Sequence, residues 1–419
     1  MPANHTLLEE LKERGFIYQT TNLDGLPKML NDKASISGYG GFDCTARSLH
    51  VGNLMLIMLL RILQKHSIRP IIIIGGATSK IGDPSGRDTA REVLSDEVLQ
   101  ENMAGIRKSL EKFLNFGTGP DEALLLNNED WLNNVKYIDL LRDYGALFSV
   151  NKMLSFEKVK LRLQKEQNLS FLEFNYPILQ AYDFLQLFKK YNCAFQFGGS
   201  DQWGNIVFGV DLIKKVMGKE AFGITTPLLT TSSGAKMGKS QKGALWLNEN
   251  MLSSYDYYQF WRNTDDRDVF RFMKIYTDLP LAQIKEYEKD DHKNINEFKK
   301  ILGYEATKLC HGEEEASLAL EAAAKMFEQG DAAHLPEFHI DKTRVEAEVC
   351  ICEILKEAGL AESKGEAKRL IKGGGAKLNN TSIADENHKL TLEDFSAGYA
   401  TISSGKKKHI RLLLTPSCR

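Results

Sequence analysis

No apolar run in this 419-residue chain approaches the ~20 residues that cross a bilayer. The longest lies around Leu54–Leu60, so no membrane partner is expected. The first thirteen residues are polar and include Glu9, Glu10 and Lys12, so no secretory signal is expected either. An excess of one charge is also missing: 54 basic and 56 acidic residues leave −2, so the whole chain is not a polycation. The six cysteines, at 44, 193, 310, 350, 352 and 418, lack zinc-ligand spacing. Cys350-Ile351-Cys352 is C-x-C rather than C-x-x-C and reads as alternation on a helix or strand. Free thiols, no metal site and a cytoplasmic location follow as expectations. Neither a repeat of 20–50 residues nor a low-complexity tract beyond Gly373–Gly375 is visible, which argues against a solenoid.

What is present is ordinary globular material, 42% hydrophobic and 26% charged, long enough for two to four domains at roughly 100–200 residues each. Ser35–Phe42 reads as a strand, Ser48–Gln64 as a helix, and Ile71–Ile74 as a buried strand ending in Gly75-Gly76. That succession opens a βαβ unit with a parallel sheet. Helical periodicity covers Leu99–Phe116, Val135–Phe148 and Asp201–Lys215, with Asn127–Asn134 as a loop. Ala194–Phe197 and Leu228–Thr230 read as further strands, and Ala376–Ile383 as another. From Ser253 to about Gln329 the chain reads as successive helices. Charge is uneven: Ser363–Arg419 holds 11 lysines and arginines against 5 acidic residues, which suggests that this part contacts nucleic acid.

Two segments carry chemistry. In the first, small residues after Tyr39 end a strand and a helix begins near Ser48, followed by His50-Val51-Gly52-Asn53. Amide groups at such a helix start favour phosphate, and His50 and Asn53 lie one turn apart. In the second, Lys236-Met237-Gly238-Lys239-Ser240 occupies a loop between Gly234 and Gly243. Two lysines three apart can close over a triphosphate and neutralise developing charge. Each motif is weak alone, but in this order, about 185 residues apart, the pair matches the signatures of class I aminoacyl-tRNA synthetases.

Gly75–Thr78, Ile81–Gly86, Tyr176–Asp183 and Gly198–Asn205 narrow this further. With them the chain, from about Leu7 onward, resembles the tyrosyl-tRNA synthetases of the bacterial and organellar type. The resemblance implies that Tyr39 and Asp183 hold a substrate phenol. Asp83, Tyr176 and Gln180 would surround the α-ammonium, and Gln202 would lie near the carboxylate of L-tyrosine. Thr45 and His50 would bind the γ-phosphate region of ATP, with Arg87, Arg91, Lys236 and Lys239 closing on pyrophosphate. Gly41, Asp43, Gly52, Asn53, Gly199, Asp201, Met237, Gly238 and Ser240 complete the implied ATP site, with Mg2+ accompanying ATP. The chain departs from better-known members at Gly40, Cys44, Asn53 and Arg87, none of which deletes a catalytic group.

The implied fold is α/β: a Rossmann-type parallel-sheet catalytic domain over 1–245, an α-helical anticodon-side domain over 246–330, a linker at 331–345 and an S4-like RNA-binding domain over 346–419. Lys364, Lys368 and Lys372 recur every four residues beside Arg369, which places them on one helix face. The resemblance makes that face RNA-binding, with tRNA(Tyr) as partner. It also makes the protein a homodimer through about residues 115–175. The tyrosine carboxylate is already ionised, so no general base is needed, and positioning and charge stabilisation carry the reaction. A tryptophan–tRNA ligase, and a non-catalytic RNA-binding descendant, stay open as alternatives.

Overall fold

The computed structural model describes residues 6–31, 36–81, 94–167, 169–228, 230–232, 234, 237, 239–240, 243–289, 294–328, 336–379, 381–396, 398–405 and 408–415. The chain forms two compact units, Met1–Leu320 and Glu321–Arg419.

The first unit is built on strands β1 (Gln19–Thr20), β2 (Ser37–Phe42), β3 (Arg69–Ile74), β4 (Leu124–Asn127), β5 (Cys193–Gly199) and β6 (Phe222–Thr226). They form one sheet in the order β1-β6-β5-β2-β3-β4, parallel except for the edge pair β1–β6. Helices α1 (Leu7–Arg14), α2 (Val51–Lys65), α3 (Asp96–Glu111), α4 (Phe171–Tyr191) and α5 (Trp203–Met217) accompany it. The isoleucine run of β3 shows why the sheet is covered on both sides. Ile72 and Ile74 pack into one core cluster with α2, while Ile71 and Ile73 pack into another with Phe184 of α4 and Phe208 of α5. Successive side chains of a strand point to opposite faces, so an unbroken apolar run needs two covers. From β2 the chain winds outward through β3 and β4, then returns to β5 and β6 on the other side. The direction of winding therefore reverses between β2 and β5, where open α/β sheets bind ligands beyond the carboxyl ends of the strands.

Several element boundaries differ from those expected. The strand expected at Leu228–Thr230 lies earlier, as β6, whose five residues are all buried. Pro227 follows it and has no N–H to continue the ladder. The Val135–Phe148 helix is two pieces, Tyr137–Asp143 and a 3₁₀ turn at Gly145–Leu147. Leu124–Asn127, absent from the sequence reading, is an edge strand beside β3.

Beyond the sheet the unit continues with α6 (Ser254–Arg262), α7 (Val269–Tyr276) and α8 (Ile295–His311) around Tyr257, Trp261 and Phe272. Arg14, only 7% exposed, fastens α1 to this region. Its guanidinium donates to the carbonyls of Lys274 (2.7 Å), Thr277 (3.3 Å) and Leu279 (3.1 Å) and to Glu10 Oε1 (2.8 Å). Replacing Arg14 by alanine takes this donor from three carbonyls and leaves Glu10 with His66 alone, so a loss of about 3–5 kcal/mol is expected. A urea midpoint within error of the parent would refute this. Glu10 also bonds His66 Nε2, and these partners hold its carboxyl down at about 2.

Two short strands of the first unit, β7 (Lys239–Ser240) and β8 (Gly243–Ala244), pair antiparallel. The second unit is a sheet of β9 (Glu337–Asp341), β10 (Ala376–Leu378), β11 (Thr381–Ser382), β12 (Ala400–Ser404) and β13 (Lys408–Thr415), in the order β11-β10-β12-β13-β9. It packs on α9 (Ile351–Glu357) and α10 (Lys364–Lys372) through Ile354, Leu355, Ile371 and Leu412. Residues 337–345, expected as linker, belong to this unit, because β9 pairs in parallel with β13. The expected strand Ala376–Ile383 is a hairpin of β10 and β11, turning at Asn379 with φ 47°.

Candidate active site

A cavity of about 530 Å³ opens where β2 and β5 end. Eleven of the predicted residues line it together: Tyr39, Gly41, Asp43, Thr45, His50, Asn53, Tyr176, Gln180, Asp183, Gly199 and Gln202. Tyr39, on the β2 face turned toward α4, packs its ring 5.3 Å from that of Phe184. Its hydroxyl is buried and makes no hydrogen bond among the described residues. Asp183 is 4% exposed. Trp131 Nε1 donates to its Oδ1 at 2.6 Å and Asn128 Nδ2 to its Oδ2 at 3.1 Å. Burial pushes the carboxyl up to about 7, against the pull of those two donors. Burial, and then the Asp183 charge, raise the Tyr39 phenol well above its usual range.

Farther along the wall, Asn205 Nδ2 donates to both Gln180 Oε1 and Gln202 Oε1, at 3.0 Å each, which orients two amides with one. The structure adds Asn128, Trp131 and Asn205 to the site. Asn128 also donates to Thr78 Oγ1 (3.0 Å) and accepts from the amide of Ala77 (3.0 Å), which locks its orientation. Nothing in the sequence pointed to them, because the strand that Asn128 directly follows was itself not read there.

The helix expected from near Ser48 begins at Val51, with His50 as its cap. His50 Nδ1 accepts from the amide of Gly52 at 3.0 Å, and its own amide donates to Asn53 Oδ1 at 3.1 Å. With Nδ1 accepting, the neutral ring carries its proton on Nε2, as a donor. Ser48 instead braces the neighbouring segment, with its Oγ accepting from the Asn248 amide at 3.2 Å. A Cβ on Gly52 would lie 2.7 Å from His50 Cε1 and 2.9 Å from Nδ1, so only glycine leaves the ring where it is. On Gly41 a Cβ would meet nothing within 4 Å, because that position faces open space in the cavity. Gly52→Ala is therefore expected to slow ATP–pyrophosphate exchange by about tenfold or more through a displaced His50, with no fall in Tm. Parent-like exchange would show that the ring position is immaterial.

The second motif approaches the first. Val51 donates to the Leu245 carbonyl and Leu247 to that of Leu49, both at 2.9 Å, and the Trp246 ring lies 6.0 Å from His50. The Met237 carbonyl would stand 3.4 Å from a Cβ on Gly52. Met237 and Trp246 also line an adjoining cavity of about 450 Å³. Asp201 does not line the main cavity. It borders a neighbouring one of about 430 Å³, with Oδ1 2.5 Å from where a Gly199 Cβ would be. Asp83, Arg87, Arg91, Lys236 and Gly238, and the side chains of Lys239 and Ser240, lie outside the described residues. Among the described residues no group of three or more His, Cys, Asp or Glu is arranged to hold a metal, and no helix is long and apolar enough to cross a membrane.

In the second unit, Lys364, Lys368, Arg369 and Lys372 share α10. Lys364 pairs with Glu353 at 2.5 Å, and Lys372 and Lys368 with Glu386 at 3.0 and 4.0 Å. Arg369 is exposed and has no carboxylate partner among the described residues. Exposed pairs of this kind are weak, so phosphate could displace them.

Residues 31–328 match the model of the class I tRNA synthetases for W and Y, and the chain belongs to that class. Residues 327–412 match the tyrosine–tRNA ligase SYY-like C-terminal domain. Curated tyrosine–tRNA ligases of Rickettsia peacockii and Wolbachia pipientis are 52% and 51% identical, covering 96% and 99% of this chain and 98% and 99% of theirs. Within its class, then, the chain is a member of the tyrosine–tRNA ligase family. A C-terminally truncated mitochondrial tyrosyl-tRNA synthetase from Aspergillus nidulans is similar in structure, with TM-score 0.70 and 32% identity over 77% of this chain and 95% of that one. A tryptophanyl-tRNA synthetase from Encephalitozoon cuniculi shares the fold, with TM-score 0.54 and 13% identity over 74% of this chain and 87% of that one.

Proposed function

We propose that the main cavity joins L-tyrosine to ATP, forming tyrosyl-adenylate and pyrophosphate, and that the same site then passes the tyrosyl group to the 3′-terminal ribose of tRNA(Tyr). The observation that carries the assignment of the phenol end is the buried Tyr39 hydroxyl, unpartnered among the described residues, beside a buried Asp183 that is already oriented by two donors. A phenol hydroxyl would donate to Asp183 and accept from Tyr39. A phenylalanine ring would leave both unpaired, at a cost of a few kcal/mol. Gln180 and Gln202, which line the same cavity, are assigned to the amino and carboxylate groups of that ligand. His50 is assigned to the phosphates, and the carboxylate needs no base because it is ionised at neutral pH. Mg2+ would enter with the triphosphate, keeping several of its own waters.

The tryptophan alternative is tested by exchange with each amino acid: exchange supported by tryptophan and not by tyrosine would overturn the reading. The class-shared fold cannot separate the two, so the Tyr39–Asp183 pair and the 51–52% identities weigh for tyrosine.

The Lys364–Lys372 face is assigned to tRNA backbone contacts, which position rather than read sequence. A homodimer fits the N-terminal unit, where Tyr137, Ile138, Leu141, Val150, Phe171 and Leu172 are exposed within one stretch. Soluble chains seldom leave such surface uncovered. Sedimentation should give twice the chain mass, and Ile138→Glu should shift it toward monomer. A monomeric parent at micromolar concentration would sink the dimer.

A further inference from the structure

The C-x-C pair of the second unit takes no part in the chemistry above. Cys350 Sγ and Cys352 Sγ lie 2.8 Å apart, inside the usual spacing of unbonded sulfurs and short of the ~2.05 Å of a disulfide. Cys350 is the extended residue before α9 (φ −69°, ψ 133°), and Cys352 sits in the first turn. That break in backbone direction brings both thiols to one side. Cys350 is half-buried and Cys352 4% exposed. Cys44, Cys193 and Cys310, by contrast, are buried at separate places, and burial pushes each thiol up to about 12.

We propose that Cys350 and Cys352 form a reversible dithiol–disulfide site, oxidised by small-molecule disulfides of the glutathione type. The more accessible Cys350 thiolate attacks the external disulfide, whose S–S bond breaks as one glutathione thiolate leaves with the proton Cys350 gave up. Cys352 then attacks Cys350 Sγ and displaces the second glutathione. Two protein thiols are oxidised and one glutathione disulfide is reduced to two thiols. Burial, and then the Cys350 thiol, raise the Cys352 thiol to about 11, which makes it a poor first nucleophile. Its proximity favours it in the second step.

The pair also stands at the root of the segment that neutralises α10. Cys350 Sγ lies 3.8 Å from the Glu386 carbonyl, Ile351 donates to the His388 carbonyl at 2.8 Å, and the Glu386 carboxylate holds Lys368 and Lys372. Closing the disulfide removes the Cys350 S–H that reaches the Glu386 carbonyl. Oxidation is therefore inferred to change tRNA charging without changing adenylate formation, and this second statement rests on the RNA reading of the basic face.

The test uses the full chain carrying Cys418→Ser, incubated with glutathione disulfide and mapped by mass spectrometry. The expected product has lost two hydrogens between Cys350 and Cys352, carries no glutathione, and reverts with dithiothreitol. With Cys352→Ser added, Cys350 should instead retain one glutathione. Both thiols still titratable, or a stable glutathione adduct on Cys350 with Cys352 free, would overturn the site whatever the RNA result. Oxidised protein with a tRNA KM within twofold of the reduced form would overturn the coupling alone.

Discussion

Replacing Asp183 by alanine is expected to lower tyrosine-dependent ATP–pyrophosphate exchange by about 10³-fold or more, about 4 kcal/mol at ~1.4 per decade. The variant loses the acceptor for the phenol, strands Trp131 Nε1, whose bond is 2.6 Å, and leaves Asn128 Nδ2 with Thr78 Oγ1 alone. Asp183→Asn, which keeps the volume, should fail almost as badly because its amide presents a donor. The same burial gives a signature in pH. Since the folded carboxyl is raised to about 7 from an ordinary value of 3.8, the unfolded chain releases this proton first. Asp183 therefore stabilises the free protein fully below about pH 4, and that contribution is lost as pH rises toward 7. A phenol donating to Asp183 favours the ionised form, so tyrosine affinity should tighten between pH 6 and 8 in the parent and stay flat in Asp183→Asn. Parent-like exchange in Asp183→Ala, or identical pH profiles, would remove Asp183 from the pocket.

Deleting residues 329–419 is expected to leave adenylate formation within about twofold of the parent and to reduce kcat/KM for tRNA charging by about 10²-fold. The active-site cavity is lined wholly from the first unit, while the basic helix α10 belongs to the second. A cut at 341 would be a poorer experiment, because it leaves β9 without the β13 strand it pairs with. Losing several phosphate contacts weakens binding steeply and flattens its salt dependence. Charging that is unchanged at physiological salt would exclude an RNA role for the second unit.

Much of this was legible from residue type and order. The four-isoleucine run with glycines after it announced a buried parallel strand, because no surface segment can afford two apolar faces. His50 and the Lys236–Ser240 motif, in that order, pointed to the class whose family model residues 31–328 match. Local pattern failed where a neighbour far along the chain makes the choice. Leu228–Thr230 looks as strand-like as Phe222–Thr226, and pairing with β5 selects the latter. Residues 337–345 look like linker until β13, about 75 residues later, supplies their partner.

The sequence by itself determined which chemical groups are present and the βαβ order that delivers Tyr39, His50 and Asp183 to the ends of parallel strands. Only the tertiary structure decided how they are held. Asn128 and Trp131 orient Asp183 from 55 and 52 residues away, and His50 caps its own helix through Nδ1. Three of the four cations on α10 face carboxylates from other segments. Such bonds follow from distances in space, and a chain's order constrains those distances only after its cores have packed.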